Sequence, residues 1–238
     1  MSESNSYAAS VVICVRNGAE TIARQLRALD RQINADSFEV IIVDNGSTDG
    51  TLTVVQEWID REPHAASQIR VVDAGPTPGI PRARNIGARE AQGRIIAFCD
   101  ADDEVGDEWL ASFIAALESD ALAGGRLTPV AADGTPWPGT FGDGLPNTSY
   151  LPHVGNCNCA ITRTLFFAVG GYDESLPRYG FEDVELSWRV QEAGYPLLYV
   201  PDARIRFTVS ASTASISKRF YLGQGRVLMA RRFPNYDP

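Results

Sequence analysis

Histidine, lysine, cysteine and long apolar runs are all scarce in this chain, and each scarcity removes a class of protein. Four cysteines (Cys14, Cys99, Cys157 and Cys159) are too few and too scattered for a disulfide framework. Cys157-Asn158-Cys159 has no second cysteine pair and no nearby histidine, since the two histidines are His64 and His153, so a zinc site is not expected. No window approaches the roughly 18 consecutive apolar residues of a membrane span. Residues 1–9 are polar and lack the basic start and apolar stretch of a signal peptide, which predicts a disordered N-terminal segment and a cytoplasmic location. Positive charge is in the minority: 21 Lys and Arg against 30 Asp and Glu give −9, which argues against a nucleic-acid partner. Lys218 is the only lysine; the remaining basic residues are Arg, whose planar forks suit phosphate. What remains is an ordinary globular composition, 44% hydrophobic and 21% charged over 238 residues, enough to bury one sizeable core without staples.

The first hundred residues alternate between two patterns. Short β-branched runs lie at 10–15, 39–43, 69–72 and 94–98, with no polar alternation, as expected of strands buried on both faces. Between them are helical patterns: 19–32 with Ile22, Leu26 and Leu29 in phase, 51–61 with Leu52, Val55 and Ile59, and 82–91 opened by Pro81. Strand and helix in repeated succession predict an α/β fold, a mostly parallel central sheet flanked by helices. The second half predicts a helix over 107–118 capped by Asp107 and a strand over 121–129. A Gly/Pro-rich loop over 131–152 and a strand running into a helix over 160–169 follow. Then come a helix over 182–193 stopped by Gly194, a short strand over 197–200 and a terminal helix over 215–232. That last helix carries Phe220, Val227 and Leu228 on one side and Arg219, Arg226, Arg231 and Arg232 on the other. With no repeat and no linker, one domain over 10–208 is expected, with 209–238 as a helical extension packed on it.

Each of the first four strands ends in polar residues: Arg16-Asn17, Asp44-Asn45-Gly46-Ser47, Asp73, and Asp100-Ala101-Asp102-Asp103. Open parallel sheets bind ligands beyond the carboxyl ends of their strands. Asp and Asn are also ordinary turn residues, so each ending taken singly is turn chemistry. Asp100 and Asp102, two positions apart after a buried strand, suit a hard divalent cation that keeps open positions for phosphate oxygens. Arg84 stands at a helix start, where anions are favoured, and Asp44 can accept from a base N–H or a ribose hydroxyl. Trp188 reads as core. Trp137 and Tyr150, in the long loop, read either as acceptor contacts or as anchors of the loop itself.

The blocks appear in a set order. Val-Arg-Asn at 15–17 precedes Val-Asp-Asn-Gly-Ser-Thr-Asp-Gly-Thr at 43–51, Ala-Arg-Asn-x-Gly at 83–87 and Asp-x-Asp at 100–102. Gly-Gly-Tyr-Asp-Glu at 170–174 and Gly-Phe-Glu-Asp at 180–183 follow. Together they resemble a family 2 glycosyltransferase of the GT-A fold over about residues 10–208. The resemblance implies an inverting transferase that uses a nucleotide-diphosphate sugar donor and a divalent metal, Mn²⁺ or Mg²⁺. It implies a carbohydrate, lipid-linked or small-molecule acceptor that the sequence does not identify. It places Val15, Arg16 and Asp44 along the nucleotide, Arg84 at base or diphosphate, Ala101 among the donor contacts, Asp100 at ribose and metal, and Asp102 as the principal metal ligand. Asp183 is implied as general base, with Glu182 its alternate, and Asn158 as an acceptor or sugar contact. Many relatives carry a late His ligand; here residues 202–208 have none, and Arg206 is a candidate substitute at the diphosphate. Two other classes fit less well. A non-catalytic nucleotide-sugar binder should have lost Asp102 or Asp183, and a sugar-phosphate nucleotidyltransferase needs a Gly-rich basic loop where 14–20 holds one Gly.

Overall fold

The computed structural model describes residues 7–61, 63–77, 79–177, 180–209 and 216–237. Fifteen elements follow one another along the chain: β1 (Tyr7–Val15), α1 (Ile22–Asp30), β2 (Phe38–Asp44), α2 (Thr51–Ile59), β3 (Gln68–Asp73), α3 (Ile80–Glu90), β4 (Gly93–Asp100), β5 (Glu104–Val105), α4 (Trp109–Ala116), β6 (Leu122–Val130), β7 (Asn158–Thr162), α5 (Arg163–Ala168), α6 (Glu182–Glu192), β8 (Leu197–Thr208) and α7 (Ile216–Arg232). The sheet runs β3-β2-β1-β4-β7-β6-β8-β5. Its first four strands are parallel, as the strand–helix alternation predicts. β7 enters antiparallel to both β4 and β6, β8 lies parallel to β6, and β5 closes the edge antiparallel to β8.

Alternate residues of the central strands feed two cores. Val11, Ile13, Val40, Ile42, Ile95 and Ala97 pack with Leu26 and Phe113 on one face. Val12, Ile41, Val43, Ile96 and Phe98 pack with Ala83, Phe166 and Leu186 on the other. α3 reaches the sheet closely at Gly87, where an added Cβ would stand 2.4 Å from a Val12 methyl. A third cluster joins Val184 and Trp188 of α6 to Met229 and Phe233 around α7, so the terminal helix packs on α6.

Three local expectations change. Residues 1–6 lie outside the described residues, but 7–9 belong to β1 rather than to a disordered segment; the Ala8 amide donates to the Ser37 carbonyl and Ala9 is buried. Asp107 does not cap α4; its carboxylate pairs with Arg31 at 3.3 Å, and Glu108 takes the capping position without a side-chain bond. The expected strand over 197–200 continues to Thr208, because its second half is sandwiched between β6 and β5. Its buried Ala203 and Ile205 alternate there with exposed Asp202, Arg204 and Arg206.

Candidate active site

Strand register aligns the polar endings along one rim. Cys14 sits opposite Asp100, Val15 opposite Asp44, and Asp44 opposite Asp73. The β1 and β2 endings are laced together. Asn17, in the left-handed region at φ 53°, accepts from the Thr48 amide at 2.8 Å through Oδ1, and its own amide donates to Ser47 Oγ at 3.0 Å. Asp44 is buried and accepts from the Ser47 amide at 3.1 Å. The Asn45 amide donates to the Val15 carbonyl at 2.8 Å, while Asn45 Oδ1 accepts from the Gly79 amide at 3.0 Å. The result is a stiff cradle with Arg16 exposed at its lip. The side chains of Val15 and Ala101 point into the core, which leaves their backbone as the part that can meet a ligand.

Beside the cradle, Asp100, Asp102 and Asp103 each bring one carboxylate oxygen to within 4.8 Å of the others. Asp103 is the member that the sequence reading left out. It is 1% exposed; one of its oxygens accepts from the Thr208 amide at 2.7 Å, and Oδ2 is buried with no hydrogen-bond partner. Burial pushes its carboxyl up to about 8, with Asp102 and Asp100 adding to the rise. A buried carboxylate oxygen lacking a donor, next to two further carboxylates, is a donor set that fits a hard divalent cation. The turn is held from outside. Arg24 of α1 donates to the Asp102 carbonyl at 2.6 Å and to Thr208 Oγ1 at 2.9 Å, and that hydroxyl also donates to the Asp102 carbonyl at 2.7 Å.

Arg84, 6% exposed, spans the two carboxylate groups of the site. One of its amino groups donates to Asp100 Oδ1 at 3.1 Å and the other to Glu182 Oε1 at 3.2 Å, and the guanidinium carbon stands 5.7 Å from the Tyr172 ring centroid. Burial works against its charge, and Asp100, Tyr172 and Glu182 outweigh that. The adjacent Asn85 ties α3 to the loop before α6, accepting from the Tyr172 amide and donating to the Tyr172 carbonyl and to Glu174. Arg84 is thereby a brace between the metal-type carboxylates and α6 rather than a free donor ligand.

Glu182 and Asp183 open α6, where a helix N-terminus favours negative charge. Glu182 is taken by Arg84. Asp183 accepts from the Val184 amide at 2.8 Å, and among the described residues no side chain hydrogen-bonds to it. Burial raises both carboxyls above the usual range, Arg84 opposing the rise in each. The residue before them, Phe181, is left-handed at φ 74°, a conformation that costs about 1–2 kcal/mol for a residue with a Cβ. Its ring is pressed against Gly225 of α7, where an added Cβ would come within 2.5 Å of it.

Several expected site residues fall elsewhere. Asn158 is 2% exposed and fully engaged: it accepts from Trp109 Nε1 at 2.7 Å and donates to the Arg126 and Ala203 carbonyls at 3.0 and 2.9 Å. It pins the register shift between β6 and β8 and has no atom left for a sugar. Arg206 donates to the Gly134 carbonyl at 2.7 Å and pairs with Glu104 at 3.6 Å. Trp188 is core, as expected, and Tyr150 stacks edge-on against it with centroids 5.1 Å apart, so Tyr150 is an anchor of its own loop. Trp137 is 37% exposed.

The sequence profile of glycosyl transferase family 2 matches residues 10–167, and that of the N-terminal domain of galactosyltransferase matches 146–210. A glycosyltransferase of Haloferax volcanii, AglE, is 28% identical over 227 residues, covering 92% of this chain and 72% of its own. The validoxylamine A glucosyltransferase of Streptomyces hygroscopicus is 29% identical over 229 residues, covering 79% and 52%. Among solved structures, the mannosyltransferase PcManGT of Pyrobaculum calidifontis, in complex with GDP-Man and Mn²⁺, superposes with a TM-score of 0.71 at 20% identity. That likeness covers 97% of this chain and 65% of the other, and the chain thus spans about half to three quarters of the length of these proteins.

Proposed function

The chain belongs to glycosyl transferase family 2, and from that premise we propose that it moves a sugar from a nucleoside-diphosphate sugar to an acceptor hydroxyl, with inversion at the anomeric carbon. The observation that carries the reading is the pair of carboxylate groups on either side of Arg84, with Asp100, Asp102 and Asp103 at the strand ends and Glu182 and Asp183 at the start of α6. The cradle at the ends of β1 and β2 takes the nucleotide. Asp44 accepts from the base or ribose, and Arg16 supplies the exposed cation at its lip. Asp100, Asp102 and Asp103 would hold Mn²⁺ or Mg²⁺; bound there, the ion supplies positive charge against the diphosphate as it leaves. The Mn²⁺ and GDP-mannose bound by the Pyrobaculum enzyme support a divalent cation and a nucleotide-sugar donor.

Inversion is one in-line displacement. The acceptor oxygen bonds to the anomeric carbon, the bond from that carbon to the phosphate oxygen breaks, and the nucleoside diphosphate departs with the electron pair. The acceptor proton passes to a carboxylate within hydrogen-bond reach. Asp183 is assigned that task, because Glu182 is already paired with Arg84 while Asp183 has no side-chain hydrogen-bond partner among the described residues. Its raised affinity for a proton moves it toward the range in which a general base is effective.

Thermal shifts with a panel of nucleotide sugars, with and without Mn²⁺, test the reading and identify the donor. One nucleotide sugar should stabilise the protein in a Mn²⁺-dependent way, and Asp102→Ala should remove the Mn²⁺-dependent part together with turnover. A variant that transfers sugar normally in excess chelator would take the metal out of the account.

A further inference from the structure

α7 is unlike the rest of the molecule in charge. Its seventeen residues contain Lys218, Arg219, Arg226, Arg231 and Arg232, and none of the chain's 30 acidic residues, in a protein with a net charge of −9. One side of the helix is fixed inward. Gly225 and Met229 are buried, Met229 in the cluster with Val184 and Trp188, and Phe233 extends that contact just beyond the helix. The opposite side is exposed along its described residues. Phe220, Gln224, Val227 and Arg231 follow one another at steps of four, three and four, which puts them on one stripe, and all four are exposed. Phe220 is 62% exposed and Val227 54%, so two large apolar side chains stand in water on the same line. Exposed Arg226 flanks the stripe, whereas Arg232 is occupied with Asp173 and Ser175.

A groove of about 680 Å³ runs along this stripe, walled by Phe220, Val227 and Leu228 on the helix and by Ser175 and Pro177 on the facing loop. That loop leads into Gly180, Phe181, Glu182 and Asp183, so the exposed face adjoins the segment that carries the base. A stripe that sets two large apolar side chains beside Arg231, flanked by Arg226, on a helix without a single carboxylate, matches the interface of an anionic bilayer: apolar side chains enter the acyl boundary while guanidinium groups meet lipid phosphates. A soluble acidic partner would satisfy the arginines but leave Phe220 and Val227 in water. A second copy of this chain would set the basic helices against each other.

We propose that the outer face of α7 docks on an anionic membrane surface through Phe220, Val227, Arg226 and Arg231. The assignment does not depend on the transfer reaction, and its test requires no turnover.

Co-sedimentation with vesicles tests it directly. The whole protein is mixed with phosphatidylcholine vesicles, and separately with vesicles in which about a third of the lipid is phosphatidylserine. It should pellet with the second and not the first at low salt, and be released as ionic strength approaches 1 M, where the screening length shrinks to about 3 Å. Arg226→Gln with Arg231→Gln should lower the partition by about tenfold or more. Phe220→Ser with Val227→Ser should lower it comparably, while both variants keep the wild-type melting temperature within a few degrees. Failure to bind the anionic vesicles, or equal binding to both kinds, would overturn the proposal. So would a dimer in solution that Phe220→Ser dissolves, since a second copy would then be what covers this face.

Discussion

Asp103 shows how a single side chain can report on an ion. A carboxyl that is 1% exposed, with one oxygen lacking any donor, is costly as an anion, and burial lifts its titration to about 8. Without a cation the folded state keeps a proton that the unfolded chain has released. Stability therefore falls as pH rises from the ordinary carboxylate range toward about 8, and is flat above it. A cation reverses the preference by competing with that proton. Apparent Mn²⁺ affinity, measured by calorimetric titration, should therefore climb between about pH 6 and about pH 8, by up to tenfold per unit, and level off above. In Asp103→Asn the climb should flatten and the affinity at pH 8 should drop; an unchanged pH dependence in that variant would exclude Asp103 as a ligand. The sequence offered Asp103 only as a third acid in a turn. Its burial depends on Thr208, which is 105 positions away and reaches it through the end of β8. That half of β8 was itself missed, because the charged residues of 202–206 hide an alternating strand.

Among the elements, β1, β2, β4 and the helices between the parallel strands were legible, because runs buried on both faces leave an uninterrupted apolar signature. β3 was located but expected to be buried on both faces; it is the edge strand of the sheet, with Val71 43% exposed. The roles of Asn158 and Arg84 were not. A motif position tells which residue is present, whereas partners supplied by distant segments decide whether it faces a ligand. Asn158 is consumed by Trp109, Arg126 and Ala203, and Arg84 by Asp100 and Glu182. Nor does the sequence show that α7 bears on the active site. Gly225 lets the Phe181 ring lie against the helix, and Phe181 is the left-handed residue that delivers Glu182 and Asp183. Gly225→Ala should displace the ring, lowering stability by about 1–3 kcal/mol from overpacking. Turnover should fall by about tenfold with nucleotide-sugar affinity within about twofold, and adding Phe181→Ala should recover part of it; steady-state kinetics beside binding measurements decide this. Unchanged turnover in Gly225→Ala would free the base from α7. The loop over 131–152 divides at this scale too. Residues 145–152 are anchored through Leu145 and Tyr150, whereas Trp137, Phe141 and Gly139 between them are exposed. Arg24 joins the outer part to the metal-type turn, holding the Ala132 and Asp102 carbonyls together. Closure over the donor is therefore expected in 131–144 alone, and hydrogen exchange there should slow on adding nucleotide and Mn²⁺. Equal exchange with and without saturating ligand would exclude a lid.

At the scale of the whole molecule, the two halves of the chain divide the work. The parallel half builds the cradle proposed for the nucleotide and delivers the Asp100–Asp103 turn, and the second half contributes α6 with Asp183, the proposed base, its brace partner Glu182 and the strand end that buries Asp103. Arg84 is where the halves meet, an arginine of the first half held by one carboxylate from each. Donor binding and proton abstraction should therefore separate cleanly by mutation. The most direct measurement is transfer kinetics beside donor affinity for Asp183→Asn and Glu182→Gln. Asp183→Asn should keep wild-type affinity for the nucleotide sugar while turnover falls by a factor on the order of 10² to 10⁴, the usual worth of a general base. Glu182→Gln, which loosens Arg84, should impair donor binding and turnover together. Normal turnover in Asp183→Asn with a dead Glu182→Gln would contradict the account and make the braced neighbour the base.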